Sequence, residues 1–152
     1  MSQSGIFARE STYLDRYVQI GIAQDRVLSV EFPQSADPDV ETEHDLLDRV
    51  EAYLNGSREE LTDVPVAMTM PTDKREVLEV VRTISWGEEV SVEQLARKLP
   101  DGDPEDSALY ATIREALAAN PAPIFIPTHR VRDGPGGSPP AVEQKLRAVE
   151  DL

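Results

Sequence analysis

The stretch from Asn120 to Gly137, Asn-Pro-Ala-Pro-Ile-Phe-Ile-Pro-Thr-His-Arg-Val-Arg-Asp-Gly-Pro-Gly-Gly, constrains the fold of this chain more than any other. Ile124, Phe125 and Ile126 form a short apolar run held between Pro123 and Pro127. Proline cannot donate to a sheet ladder, so the run suits a segment fixed at both ends rather than a free strand. It is expected to be a buried strand that runs into a polar turn. Thr128, His129 and Arg130 then put a hydroxyl, an imidazole and a guanidinium at the mouth of a core, where polar groups need partners or a task.

The rest of the chain supplies that core. Residues 5–32 alternate as strands do, with Val18, Ile20 and Ile22 on one face and Leu28, Val30 and Phe32 following the polar Gln24-Asp25-Arg26, which predicts a β-hairpin. Residues 32–43, with Pro33, Pro38 and several acids, read as a loop. Leu46, Leu47, Val50, Tyr53 and Leu54 recur at helical spacing up to Asn55-Gly56, with His44 a surface residue at the start. Val64 to Met68 is a strand or extended connector. A second helix is expected from Thr72 as N-cap, with Val77, Leu78, Val81 and Ile84 inward, ending at Trp86-Gly87. Ser91 and Gln94 form a capping box for a third, with Val92, Leu95, Ala96 and Leu99 buried and Pro100, Asp101 and Gly102 closing it. A fourth runs from Asp103 with Pro104 in its first turn to Asn120, on Leu109, Ile113, Ala116 and Leu117. A last short helix, Ala141 to Leu152, turns Leu146 and Val149 inward.

Strands first and helices after make the fold class α/β of the α+β kind. A small amino-terminal sheet-and-helix lobe, residues 1–70, is expected to pack on a mostly helical carboxy-terminal lobe, residues 71–152. Two short helices joined by a tight polar turn fit a helix-turn-helix, although most adjacent helix pairs are simply core.

Composition bounds the partners. The 152 residues carry a net charge of -14, from 29 acidic and 15 basic residues, and the only lysines are Lys74, Lys98 and Lys145. That is far from a typical DNA-binding footprint. Either the protein does not meet nucleic acid, or it works in a salty cytoplasm, where an acidic, lysine-poor surface keeps proteins soluble. We take the second reading, and with it a halophilic source, because at 1 M salt repulsion from DNA is screened within ~3 Å. No basic-then-apolar leader opens the chain and no apolar run nears the ~20 residues of a membrane span, so a soluble cytoplasmic protein is expected. There is no cysteine, and His44 and His129 are the only histidines, so neither a disulfide, a thiol nucleophile nor a metal site is expected.

The 120–137 stretch resembles the Asn-Pro…Ile-Pro-Cys-His-Arg-Val signature of the DNA alkyltransferases that repair guanine alkylated on its sixth-position oxygen. Asn120, Pro121, Ile126, Pro127, His129, Arg130 and Val131 match it. Ile84-Ser85-Trp86-Gly87-Glu88-Glu89-Val90-Ser91-Val92 is similar to that family's Ile-Pro-Tyr-Gly-Glu and Ser-Tyr segment, Tyr53-Leu54-Asn55-Gly56 to its helix end, and Glu150 falls where it places a carboxylate. One letter differs at the decisive place: the alkyl-accepting cysteine is replaced by Thr128. The resemblance is therefore to a cysteine-less, alkyltransferase-like branch.

The resemblance implies duplex DNA as partner, bound in the minor groove by the helix-turn-helix with an alkylguanine swung into a pocket at Asn120, Pro127 and Thr128. It implies a monomer, with other repair proteins following, and no cofactor. The family positions for DNA contact fall on Ser91, Val92, Tyr110, Ala111, Thr112, Arg114 and Arg130. Three of them depart from the pattern: Val92 replaces a tyrosine used on a phosphate, Ala111 an arginine that fills the gap left by the extruded base, and Arg114 a glycine that lets the helix approach closely. The matching catalytic positions are Thr128, His129 and Glu150, but methyl transfer is not expected. A poor electrophile at saturated carbon needs a thiolate, and one imidazole cannot make a comparable nucleophile of a threonine hydroxyl.

Three readings stay open on sequence alone. The first is a non-catalytic protein that binds DNA, flips the lesion and assists repair. The second is a binding module that keeps the fold for a protein or small-ligand partner with no DNA role, favoured by the acidic surface and the altered contact positions. The third is an enzyme that uses Thr128, His129 and Glu150 for another reaction, against which His129 and Arg130 can be purely structural.

Overall fold

Three antiparallel strands open the structure, a computed structural model that describes residues 4–100, 102–103 and 105–152. They are β1 (Gly5–Ser11), β2 (Arg16–Ala23) and β3 (Arg26–Glu31), in the order β1-β2-β3. The expected hairpin is β2–β3, and β1 adds a strand in register with Phe7 opposite Ile20 and Arg9 opposite Val18. The β2–β3 loop is Gln24-Asp25, both at positive φ (53° and 62°), the backbone of the tight primed turn whose twist suits a hairpin. Phe7, Val18, Ile20, Ile22, Val27 and Val30 line the buried face.

Leu28 departs from expectation and is 46% exposed. Gly21 pairs with Ser29 and Ile22 with Val27, so Leu28 is the extra residue of a β-bulge and turns outward.

Helix α1 (Asp45–Leu54) covers the sheet with Leu47, Val50, Tyr53 and Leu54. Full burial of one such aliphatic side chain stabilises by about 1.5–3 kcal/mol, enough to fix the helix where its ten residues alone would not. His44, expected at the surface, is its N-cap: Nδ1 accepts the Leu46 N–H at 3.0 Å, and the ring lies 4.6 Å from Phe7. The 64–68 connector pairs with β3 on both sides of Val27, through Val27 N–H to the Pro65 carbonyl (3.0 Å) and Ala67 N–H to the Val27 carbonyl (2.9 Å).

Helix α2 (Thr72–Val81) has Pro71, not Thr72, at the cap position; proline there fixes the entry and Thr72 is already helical. Helix α3 (Val92–Lys98) has the expected capping box, Gln94 N–H to Ser91 Oγ at 3.1 Å and Ser91 N–H to Gln94 Oε1 at 2.8 Å. Helix α4 (Ser107–Ala118) begins later than expected because Asp106 caps it, its carboxylate accepting from Ala108 N–H at 3.0 Å. Of the residues expected to separate these helices, Asp101 and Pro104 lie outside the described residues. Helix α5 (Pro140–Val149) buries Val142 and Leu146, while Val149 is only partly buried.

α2 and α3 pack on α4, and all elements contribute to one continuous apolar core. The 120–137 stretch threads through it: the Pro121 carbonyl accepts from Val30 N–H on β3 (2.9 Å), and Val90 pairs with Val131 at the entry to α3. Among the described residues, no helix is long and apolar enough to cross a membrane.

Candidate functional site

The apolar run at 124–126 is a buried turn, not the expected strand. Ile126 N–H closes back on the Ala122 carbonyl (2.9 Å), and Ile124 sits at φ 79°. A β-branched residue in that region is strained by about 1–3 kcal/mol and persists only where its surroundings enforce it. Here Ala122, Ile124, Phe125 and Ile126 are all buried in the core. Prolines at 121, 123 and 127 deny the segment the donors of a ladder. Pro127, at φ -82° and ψ 66° with a 2.8 Å bond from Thr128 N–H to the Ile126 carbonyl, forms an inverse γ-turn. A single 3₁₀ turn, Thr128–Arg130, follows at once and drives all three polar side chains inward.

Glu150, at the C-cap of α5, is the centre on which they converge. Its Oε2 accepts from His129 Nε2 at 2.6 Å and from the Tyr53 hydroxyl; its Oε1 accepts from Arg130 Nε at 2.8 Å and from the Gly87 N–H at 2.9 Å. Arg130 also donates to the Ile84 carbonyl (2.6 Å) and reaches Glu60 at 3.3 Å. Burial alone would raise the Glu150 carboxyl, but the donors from His129, Arg130 and Tyr53 outweigh it and bring it down to about 2. Burial, opposed by Glu150, pushes His129 below its usual range, so the imidazole is neutral at neutral pH. Burial and then the charge of Glu150 raise the Tyr53 phenol, which remains a donor. With Glu150 ionised, His129 Nε2 must carry the ring proton, which leaves Nδ1 as the bare acceptor.

Thr128 stands apart from this cluster. Its Oγ1 is held by Asn120 Nδ2 at 3.0 Å, and no hydrogen bond to His129 is present among the described residues. Asn120 also donates to the Ile126 carbonyl (2.8 Å) and accepts from Ala122 N–H (2.9 Å). Asn120, Pro127 and Thr128 lie together, and the Thr128 hydroxyl is bonded to Asn120 rather than to the imidazole. Gly137 closes over this group: a Cβ there would collide with the Asn120 carbonyl oxygen.

The residues expected to face DNA divide. Ala111 and Arg114 are exposed on α4, and Tyr110, Thr112 and Ser91 are partly so. Val92 and Arg130 are 1% and 2% exposed, so Val92 lies in the buried stripe expected of it and neither side chain offers the DNA contact implied for its position. Val92 faces the core with its N–H on the Asp133 carboxylate (2.7 Å), and Arg130 is consumed by Glu150, Ile84 and Glu60. Tyr53, Glu60 and Gly87 belong to the cluster but are not among the expected site residues, although Tyr53 and Gly87 lie in segments that carry the resemblance. Tyr53 carries a further signal, a hydroxyl on the apolar stripe of a helix. No group of side chains suited to a metal ion occurs among the described residues.

The family model described as "6-O-methylguanine DNA methyltransferase, DNA binding domain" matches residues 73–150. The methylated-DNA-protein-cysteine methyltransferase of Methanopyrus kandleri is 34% identical over 129 residues, covering 82% of this chain and 93% of the relative. Among solved structures, Mycobacterium tuberculosis OGT in complex with DNA aligns with a TM-score of 0.69 at 20% identity, over 97% of this chain and 91% of that one. The O6-methylguanine-DNA methyltransferase of Pyrococcus kodakaraensis aligns with a TM-score of 0.68 at 17% identity, over 97% and 100%.

Proposed function

Because the chain belongs to the 6-O-methylguanine DNA methyltransferase family, we propose that it binds duplex DNA and holds alkylated guanine near Thr128 without removing the alkyl group. The observation that carries this reading is the acceptor position itself. Thr128 sits where the family's signature has its cysteine, held by Asn120 and with no direct hydrogen bond to the imidazole among the described residues, in a chain with no cysteine. A hydroxyl so placed is neither acidic nor activated, and attack on a saturated carbon needs both nucleophilicity and a base. What remains is recognition, and the extruded base, which costs less to unstack when damaged, is the thing recognised.

DNA binding is assigned to the α3–α4 helix-turn-helix of a carboxy-terminal lobe, residues 71–152, with α4 in the minor groove. The segment Ser107–Arg114 contains no carboxylate, although the chain carries 29. Ala111 and Arg114 are exposed there, and Arg114 has no ion pair among the described residues. Arg114 lies one helical turn from Ala111, on the same side of α4, and so can stand in for the cation missing at that position. The protein acts as a monomer in a high-salt interior and leaves the marked lesion to other repair proteins.

The second reading, a module for a protein or small ligand with no DNA role, draws on the net charge of -14 and on Ala111. Binding of duplexes with and without one O6-methylguanine, by fluorescence anisotropy in molar potassium chloride, separates the two. Tighter binding of the damaged duplex is expected. Equal, weak binding of both removes the proposal in favour of the second reading.

A further inference from the structure

Asn120 settles which way the Thr128 hydroxyl can act. The Asn120 amide has one workable orientation, because its oxygen faces the Ala122 N–H at 2.9 Å and its nitrogen faces the Ile126 carbonyl at 2.8 Å. Exchanging the two atoms would set donor against donor and acceptor against acceptor. The nitrogen is therefore also what lies 3.0 Å from Thr128 Oγ1, and the hydroxyl must accept there. Its own proton points elsewhere and meets no acceptor among the described residues, although Thr128 is 2% exposed.

We infer that Thr128 is a specificity residue, whose hydroxyl donates a hydrogen bond to an oxygen on the captured base, so that the site selects O-alkylated purines over S-alkylated ones. The inference rests on the proposed function and deepens it. A buried hydroxyl that accepts from Asn120 and finds no protein acceptor for its own proton among the described residues meets a ligand first as a donor. The ligand atom opposite must then be a good acceptor: an alkoxy oxygen qualifies, and a thioether sulfur accepts only weakly. Asn120 is the positioning residue, since it fixes the rotation of the hydroxyl through two backbone anchors of its own. Where the family's signature has its cysteine, this chain has a group that reads the oxygen carrying the alkyl group.

The test compares three duplexes, carrying guanine, O6-methylguanine or S6-methylthioguanine at one position, with wild type, Thr128→Ser and Thr128→Val. Wild type and Thr128→Ser are expected to prefer the oxygen lesion over the sulfur lesion by about fivefold to tenfold, the worth of one such bond. Thr128→Val is expected to lose that preference while still binding both damaged duplexes more tightly than the undamaged one. Wild type that selects damage but not oxygen over sulfur overturns the inference and leaves the proposed function standing, as does Thr128→Val that keeps the preference. Wild type that distinguishes no duplex overturns both.

Discussion

The cluster around Glu150 and the outward face of α4 have opposite characters. In the cluster the central carboxylate is buried and saturated: Glu150 accepts four donors, and Arg130 divides its own among Glu150, Ile84 and Glu60. On α4, Ala111 and Arg114 face outward with no partner among the described residues. Removing one member of the first set strands the rest in low dielectric, at about 1–3 kcal/mol for each orphaned group and more for a charge. Changing a residue of the second set strands nothing. The resemblance to the alkyltransferases holds in the first region and fails at Ala111 and Arg114 in the second, as this asymmetry requires. His129, Arg130 and Glu150 thus testify to the fold, and evidence about function must come from Thr128 and α4.

The sharpest way to break that contrast is to return a sulfur to the unbroken side. Thr128→Cys is expected to pass from no transfer to one alkyl group per chain, slowly, when given a benzylated free guanine base that bypasses DNA handling. The check is intact-protein mass spectrometry. A variant that folds yet never takes up the group would mean that the cluster no longer supports the chemistry.

Stability measurements probe the cluster itself. Glu150→Ala leaves the Arg130 guanidinium buried without its main counter-charge and should lower unfolding stability by about 3–5 kcal/mol, read from denaturant melts at constant salt. A loss below about 1 kcal/mol would place the hold elsewhere.

Acid should act next most strongly, in two windows. His129 has a depressed folded pKa, so stability begins to fall as pH drops below about 6.5, the unfolded value. Glu150 is held at about 2 against a usual 4.5, so its contribution, on the order of 3 kcal/mol, is present above pH 4.5 and is lost as pH falls towards 2. The His129→Asn variant should lack the upper window and keep the lower. Arg114→Ala should have the smallest effect, none on folding and about 1 kcal/mol on DNA binding, with the salt slope reduced by about one.

The two regions were also unequally legible in the sequence. Helical spacing found α1 to α5, because Leu47, Val50, Val77, Leu78, Leu95, Ile113 and Leu146 repeat with the period of a buried stripe. Alternation found β2 but misassigned Leu28, since a bulge is set by the register of two strands and not by one. The run at 124–126 looks like a strand in the sequence because apolar content does not reveal a left-handed φ at Ile124. Asn120, Thr128, His129, Arg130 and Glu150 were found through the motif alone. Tyr53, Glu60 and Gly87 were missed because their contacts span 97, 70 and 63 residues, and only the folded chain brings them together.

Isolating the complex of wild-type protein with a duplex carrying O6-methylguanine, and weighing both components by mass spectrometry, tests the central claim most directly. The account predicts a duplex that still carries its methyl group, bound to a protein of unchanged mass. A methyl group found on the protein, with an unmodified guanine left in the duplex, would contradict it.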